Sequence, residues 1–285
     1  MHRSQPLGGI VWLASYPKSG NTWLRALLTN ALRPAGRPAD VNALLGAGAA
    51  QRQVFDEWSG VKSTDLTPEE VELARPRVYE AIARHANEPL FLKVHDAYTR
   101  NSSGEPLFPA SVTRAVIYVV RHPAAVAESY AHHRGCSLEE ALDLLADPDH
   151  RLADGSKGVE GQLAQRLLTW GDHVASWLDS PLPTCCVRYE DLSADPEGSL
   201  AKVLAFLGET VPAQEIARAV QFASFAELSK QERERGFHER PGRTRAFFRA
   251  GRNGELDLSA PCSLRVNSEH ALGLTRVGYG GKQYE

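Results

Sequence analysis

Cysteine is scarce and charge is nearly balanced in this 285-residue chain, with four Cys and with 32 Lys and Arg against 35 Asp and Glu for a net charge of -3. Cys136, Cys185, Cys186 and Cys262 form neither a disulfide framework nor a CxxC metal pattern, because the only close pair is adjacent in sequence. They read as thiols in a reducing compartment. The balanced charge gives nothing to draw in nucleic acid or an anionic membrane, so neither is expected as a partner. No apolar run approaches the roughly 20 residues needed to cross a bilayer. The apolar stretch Gly8 to Ala14 is too short for a signal peptide, and a cytoplasmic protein without a targeting segment is expected. There is no repeat of fixed period, no acidic cluster and no HxxxH spacing, and no metal site is expected.

What the chain does have is an ordinary globular composition, 42% apolar and 24% charged, and length enough for a large core. Apolar, β-rich runs at Ile10 to Ala14, Pro89 to Val94, Val116 to Val120 and Cys185 to Tyr189 alternate with segments of helical period. This pattern predicts a single α/β domain over residues 1–285, with a central parallel sheet of about five strands flanked by helices. Thr67-Pro68-Glu69-Glu70 predicts a capped helix running to about His85, and Asp195-Pro196-Glu197 predicts another that Gly208 ends. Arg33 to Gly60 reads as loop with a short helix, and Ser263 to Val277 as a C-terminal helix.

The first strand runs into Tyr16-Pro17-Lys18-Ser19-Gly20-Asn21-Thr22-Trp23 and then an amphipathic helix. Backbone N–H groups at such a helix start converge on one point and favour an anion there. Ser19 and Thr22 add hydroxyls and Lys18 a positive charge. On the turn alone a second reading stands beside this one, a capped strand-to-helix turn with Lys18 in water and Trp23 in the core. The loop is P-loop-like without being a Walker A sequence, because its Lys precedes the only Gly. Tyr16 to Trp23 resembles the cofactor loop of the sulfotransferases that use 3′-phosphoadenosine 5′-phosphosulfate (PAPS). The resemblance implies that Lys18, Ser19, Gly20, Asn21, Thr22 and Trp23 bind the nucleotide, with Lys18 at the bridging oxygen and sulfate and Trp23 at the adenine.

A second unit, Tyr118-Val119-Val120-Arg121-His122-Pro123, carries Ser129 about two helical turns further on. An Arg fork and a hydroxyl can share a phosphate, although an isolated pair at this spacing is also met as an ion-paired Arg and an ordinary helix Ser. Arg121 and Ser129, ending in Ser129-Tyr130, are similar to the family's 3′-phosphate motif. Lys93-Val94-His95 resembles its Lys-Thr-His triplet, with Val94 in place of Thr, which implies His95 as general base and Lys93 as helper. From chemistry alone, a His at a strand end titrates near neutrality and can take a hydroxyl proton, and it can equally be structural. Asp96 stands beside it as a candidate orienting carboxylate, although adjacent residues often point apart.

Residues Lys230 to Arg252 hold eight Lys and Arg against three Glu, a local +5 that leaves -8 on the remainder. With its Gly and Pro the segment reads as a long loop. Phe248, Arg249 and Gly251 resemble the family's Arg-Lys-Gly-x-x-Gly closure over the 3′-phosphate, with Ala250 replacing Lys. Ser224 and Phe225 resemble its Thr-Ser-Phe at the adenine, and Tyr189 its adenine-side Tyr. Glu190 and Asp191 read as caps and surface charges. Segments of about 33–60 and 230–252 would form the acceptor side.

The family resemblance implies transfer of a sulfuryl group from PAPS to a hydroxyl acceptor, releasing adenosine 3′,5′-bisphosphate (PAP), an EC 2.8.2 type of reaction without a metal. Lys18, His95 and Lys93 would be catalytic. The chain looks closest to bacterial natural-product sulfotransferases, including those of glycopeptide antibiotic biosynthesis. A homodimer is compatible with the sequence. Two other readings remain open, an ATP-dependent P-loop kinase and a non-catalytic nucleotide-binding module of the same fold.

Overall fold

Ile10 to Ser15 is apolar except for its last residue, and all of it is buried, as a strand covered on both faces requires. It forms β1, the middle strand of a five-stranded parallel sheet, between Leu90–Val94 and Thr113–Val120, with Ala47–Gly48 and Thr184–Arg188 at the two edges. The computed structural model describes residues 8–155, 161–240, 246–248 and 261–279. Along the chain follow α1 (Asn21–Leu32), β2 (Ala47–Gly48), α2 (Arg52–Ser59), α3 (Pro68–His85), β3 (Leu90–Val94) and β4 (Thr113–Val120). Next come α4 (Pro123–Arg134), α5 (Leu138–Ala146), β5 (Arg151–Leu152), β6 (Gln165–Arg166), α6 (Trp170–Leu178) and β7 (Thr184–Arg188). The remaining helices are α7 (Tyr189–Ala194), α8 (Pro196–Leu207), α9 (Ala213–Phe222), α10 (Phe225–Arg235), α11 (Pro261–Glu269) and α12 (Ala271–Arg276).

The chain gathers into two compact units, Met1–Tyr16 with Gly46–Tyr118 and Asp147–Cys185, and Pro17–Leu45 with Val119–Ala146 and Cys186–Glu285. In the first, β1 pairs with β3 from Ile10 opposite Leu90 to Ala14 opposite Val94, which brings the residues just after the two strands side by side. Its core is aromatic. Trp12 meets Tyr79 and Phe108 edge-on at 5.0 and 4.9 Å, Phe108 meets Trp177 at 5.1 Å, and the Trp12 Nε1–H donates to the Thr113 hydroxyl. In the second unit α1 lies on α9, α8 on α7 and α9, and α11 on α4 and α5. No described helix is long and apolar enough to cross a membrane.

The predicted caps are present. Thr67 and Glu70 close a reciprocal capping box on α3, and Asp195 caps α8, which ends at Gly208 with φ 77°. Three expectations need correction. Tyr189 opens α7 and does not end β7. Lys230 to Arg235 belongs to α10, because Ser224 caps that helix and Gln231 and Arg233 reach back one turn to Glu227 and Ser229. The C-terminal helix is two, divided at His270, whose backbone leaves the helical region at φ -121°. The short helix expected within Arg33 to Gly60 is α2, and the two-residue β2 precedes it.

Candidate functional site

In the second unit the loop ahead of α1 is shaped by two left-handed residues, Lys18 at φ 69° and Gly20 at φ 103°. A non-glycine residue in that region is a local strain that its surroundings must hold in place. Gly20 precedes α1 and offers no side chain to its first turn, which also holds no acidic residue. The positive end of the helix therefore lacks the usual protein answer. The Ser19 hydroxyl is fully buried with no hydrogen-bond partner, and Asn21 and Thr22 are buried in the first turn. A Cβ on Gly20 would stand 2.4 Å from the ring of Tyr189, so only glycine lets the loop lie against that ring.

Tyr189 joins the predicted residues. The Arg121 guanidinium lies 4.4 Å over its ring, and the Arg121 Nη1 is 3.5 Å from the Lys18 carbonyl. Trp23 meets Tyr189 edge-on at 5.6 Å and donates its Nε1–H to the Ala223 carbonyl at 3.0 Å. Burial pushes the Tyr189 hydroxyl above its ordinary pKa, Arg121 beside it pulls it down, and Glu190 adds to the rise. Lys18, Ser19, Gly20, Trp23, Arg121 and Tyr189 thus meet at one place. Ser224 is the N-cap of α10, half-buried Ser129 rides on α4, and Arg249 and Gly251 lie outside the described residues.

The Lys18 ammonium sits 4.1 Å over the ring of Phe247 and 3.4 Å from Nδ1 of His133. The sequence reading missed His133 and gave Phe247 no role beside Lys18. Phe248 is buried among Phe225, Phe237 and Phe247. Buried Glu232 accepts the backbone N–H groups of Phe247 and Phe248 at 2.7 and 2.9 Å and so clamps this stretch to α10. Within the same unit the stretches 39–42 and 231–238 are bonded to each other. Asn42 pairs with Gly236 and His238, and Gln231 with Ala39 and Val41. Glu190 accepts the His122 N–H and the Tyr279 hydroxyl, more than the surface charge expected of it. Burial holds His122 below the ordinary imidazole range, with Glu190 pulling it up and Arg188 pushing it down.

In the first unit His95 follows β3 directly. Its Nδ1 is 2.8 Å from the Ser15 carbonyl, and because a carbonyl only accepts, Nδ1 carries a proton, which in the neutral ring leaves the lone pair to Nε2. Lys93 is half-buried, opposite Leu13 of β1 and Gly48 of β2, and its carbonyl accepts from Ala49. Asp96 does not orient His95. Both of its oxygens take the Arg75 guanidinium at 2.8 Å, in a pair buried on each side, and Arg75 also donates to the Tyr79 hydroxyl. Burial alone would lower the Arg75 pKa, but Asp96 and Tyr79 raise it, so the guanidinium stays charged.

The model of the sulfotransferase domain family matches residues 9–255, and the chain belongs to that family. It is 26% identical over 223 residues to sulfotransferase 1A1 of Bos taurus, covering 76% of this chain and 65% of the bovine one. The chain therefore spans just under two thirds of that relative's length. Flavonol 3-sulfotransferase of Flaveria bidentis is 24% identical over 262 residues, covering 86% of this chain and 74% of its own. Among solved structures, mouse sulfotransferase SULT7A1 complexed with PAP superposes with a TM-score of 0.56 at 21% identity, over 96% of this chain and 85% of its own. Retinol dehydratase in a complex with retinol and PAP gives 0.58 at 19%, over 95% and 82%. These two share the fold.

Proposed function

We propose that the chain, acting as one domain over residues 1–285, transfers a sulfuryl group from PAPS to a hydroxyl of a small-molecule acceptor. The observation that carries this reading is the uncapped start of α1, where a fully buried, unpartnered Ser19 hydroxyl and a glycine pressed on Tyr189 make a cradle that an anion would complete. Lys18, Ser19, Asn21 and Thr22 would hold the 5′-phosphosulfate, Arg121 and Ser129 the 3′-phosphate, and Trp23, Tyr189 and Phe225 the adenine side. Arg249 and Gly251, with Ser224 and Phe248, would complete the cofactor end as the family resemblance implies. The bound nucleotide supplies the group to be transferred.

His95 presents the Nε2 lone pair to an acceptor hydroxyl, with its tautomer set by Ser15. Lys18 neutralises charge on the leaving phosphate oxygen, and Lys93 assists. Little covalent chemistry is asked of the protein, so positioning and placed charge carry the rate. Phe237, His238, Phe247 and Phe248 suit a large aromatic or glycosylated acceptor. The resemblance to bacterial natural-product enzymes supports an acceptor of that class, and a reducing cytoplasm suits four cysteines that are thiols and not disulfides.

The test is transfer of radiolabelled sulfate from PAPS across an acceptor panel. His95→Ala and Lys18→Ala should each lower turnover by about two to four decades while PAP still binds. Wild-type turnover in either variant would remove that residue's role. Phosphate transfer from Mg²⁺-ATP would replace the reading with a kinase, and tight PAP binding without turnover on any acceptor would replace it with a binding module.

A further inference from the structure

His173 takes no part in the reading above, yet its imidazole is held at both nitrogens. It lies on α6, is 0% exposed, and uses both ring nitrogens. The Tyr118 hydroxyl is 2.9 Å from Nδ1, and the carbonyl of His95 is 3.1 Å from Nε2. Because that carbonyl can only accept, Nε2 carries the proton and Tyr118 donates to the Nδ1 lone pair. Burial pushes the His173 pKa down to about 4, with the His95 carbonyl pulling it back up, so the ring is neutral and this tautomer is the one that satisfies both neighbours. The rings of Tyr118 and Tyr16 close on it at 5.6 Å stacked and 5.3 Å edge-on.

Two further residues on the same face of α6 reach the same stretch of backbone. Trp177 donates its Nε1–H to the Asp96 carbonyl at 3.0 Å, and the Ser176 hydroxyl accepts from the Tyr98 N–H at 3.0 Å. With His173 these stand at positions i, i+3 and i+4, one face of a helix. The residues after β3 are thus fixed from one helix at three points, and at a fourth where Ala97 donates to the Arg166 carbonyl. A Phe or Leu at 173 would fill the volume without the cost of burying an imidazole. What the imidazole adds is a donor to the backbone of His95.

We infer that His173 is a positioning residue that, through the chain Tyr118 to His173 to the His95 carbonyl, fixes where the His95 imidazole stands and keeps its lone pair on Nε2. This rests on the reading of His95 as the general base, and the experiment separates the two. Imidazole ¹⁵N NMR of the full chain reads the tautomer of His95 and its titration without any turnover. Transfer assays give kcat and KM for PAPS, and PAP titration gives Kd.

In wild type, His95 should be predominantly protonated on Nδ1. His173→Phe should mix the tautomers, move the His95 titration by about half a unit or more, and lower kcat roughly 10- to 100-fold, with PAP Kd within about twofold. His173→Gln places an amide N–H near the Nε2 position and should recover kcat to within about fivefold of wild type. Tyr118→Phe, which leaves no cavity, should fall between the two. An unchanged His95 tautomer and titration in folded His173→Phe overturns the inference, as does an equal kcat loss in His173→Phe and His173→Gln. Should His173→Phe fail to fold, Tyr118→Phe and His173→Gln decide the matter by the same NMR readout. Full turnover in His95→Ala removes the base reading and leaves the NMR result to judge positioning alone.

Discussion

The surroundings of His95 in the first unit and those of Ser19 in the second differ in who answers their polar groups. Beside His95, Asp96 takes Arg75 through both oxygens, and the His95 carbonyl and ring are each bonded from within the protein. At the start of α1, the Ser19 hydroxyl is buried without a partner and the helix has no side-chain cap. A proton acceptor must stand in one orientation before its substrate arrives, so its cost is met during folding. An anion cradle is satisfied by the anion, so its cost remains until binding and should appear as ligand-dependent stability. Changes near Ser19 should therefore alter binding first, and changes around His173 turnover and the fold's response to acid.

Gly20→Ala should do the most damage to the cradle. The new Cβ would stand 2.4 Å from the Tyr189 ring at a backbone φ of 103°, so ring and loop must part, and Arg121 lies on that ring. PAP affinity measured by calorimetry should fall by about 100-fold or more, the product of a lost cradle and a displaced Arg121, the proposed partner of the 3′-phosphate. Binding within threefold of wild type would show that the loop has room the structure does not give it.

Acid should separate the regions from the other side. The folded pKa of His173 is about 4 against an ordinary 6.5, so the unfolded chain binds the extra proton between those values. This contribution to stability is whole above pH 6.5 and is lost as pH falls through 6.5 towards 4, on the order of 3 kcal/mol. His122, also lowered by burial, acts with the same sign. Urea midpoints between pH 7 and 4.5 should fall less steeply in folded His173→Phe than in wild type. Parallel slopes would mean that this ring does not carry the linkage.

Arg121→Ala should weaken PAP roughly 10- to 100-fold, the range of a charge-assisted pair, and leave the same nucleotide without its 3′-phosphate little changed. Equal losses for the two ligands would assign Arg121 to holding Tyr189 and the Lys18 carbonyl in place.

The parts readable from sequence are those written in short range. The buried run of β1, the turn at Gly20, the capping box at Thr67 and the cap at Asp195 each need only neighbours a few residues away. The residues that hold His95 escaped because their partners are distant in the chain. His173 meets His95 across 78 residues, and Arg75 meets Asp96 across 21. One signal was available at α6, where His173 stands between Trp170 and Trp177 at spacings that place a polar ring among buried ones. The Lys230 to Arg235 stretch was misread because the Gly and Pro further along its segment suggested one long loop, while its helix is set by the Ser224 cap and by pairs one turn apart.

The smallest change is the most discriminating. Ser19→Ala removes a single hydroxyl that is 0% exposed and bonded to nothing. If that hydroxyl served the fold, losing it would lower the melting temperature of the ligand-free protein. A buried polar group without a partner instead costs about 1–3 kcal/mol, so its removal should leave the ligand-free protein unchanged or more stable by about 1 kcal/mol. The same variant should bind PAP about five- to tenfold more weakly, because one hydrogen bond to an anion is gone. The rise in melting temperature on adding saturating PAP should therefore shrink from both ends, with the free state raised and the bound state lowered. Thermal scans with and without PAP measure both. A lower melting temperature without ligand, together with undiminished PAP affinity, would return Ser19 to an ordinary turn and leave the start of α1 without its anion.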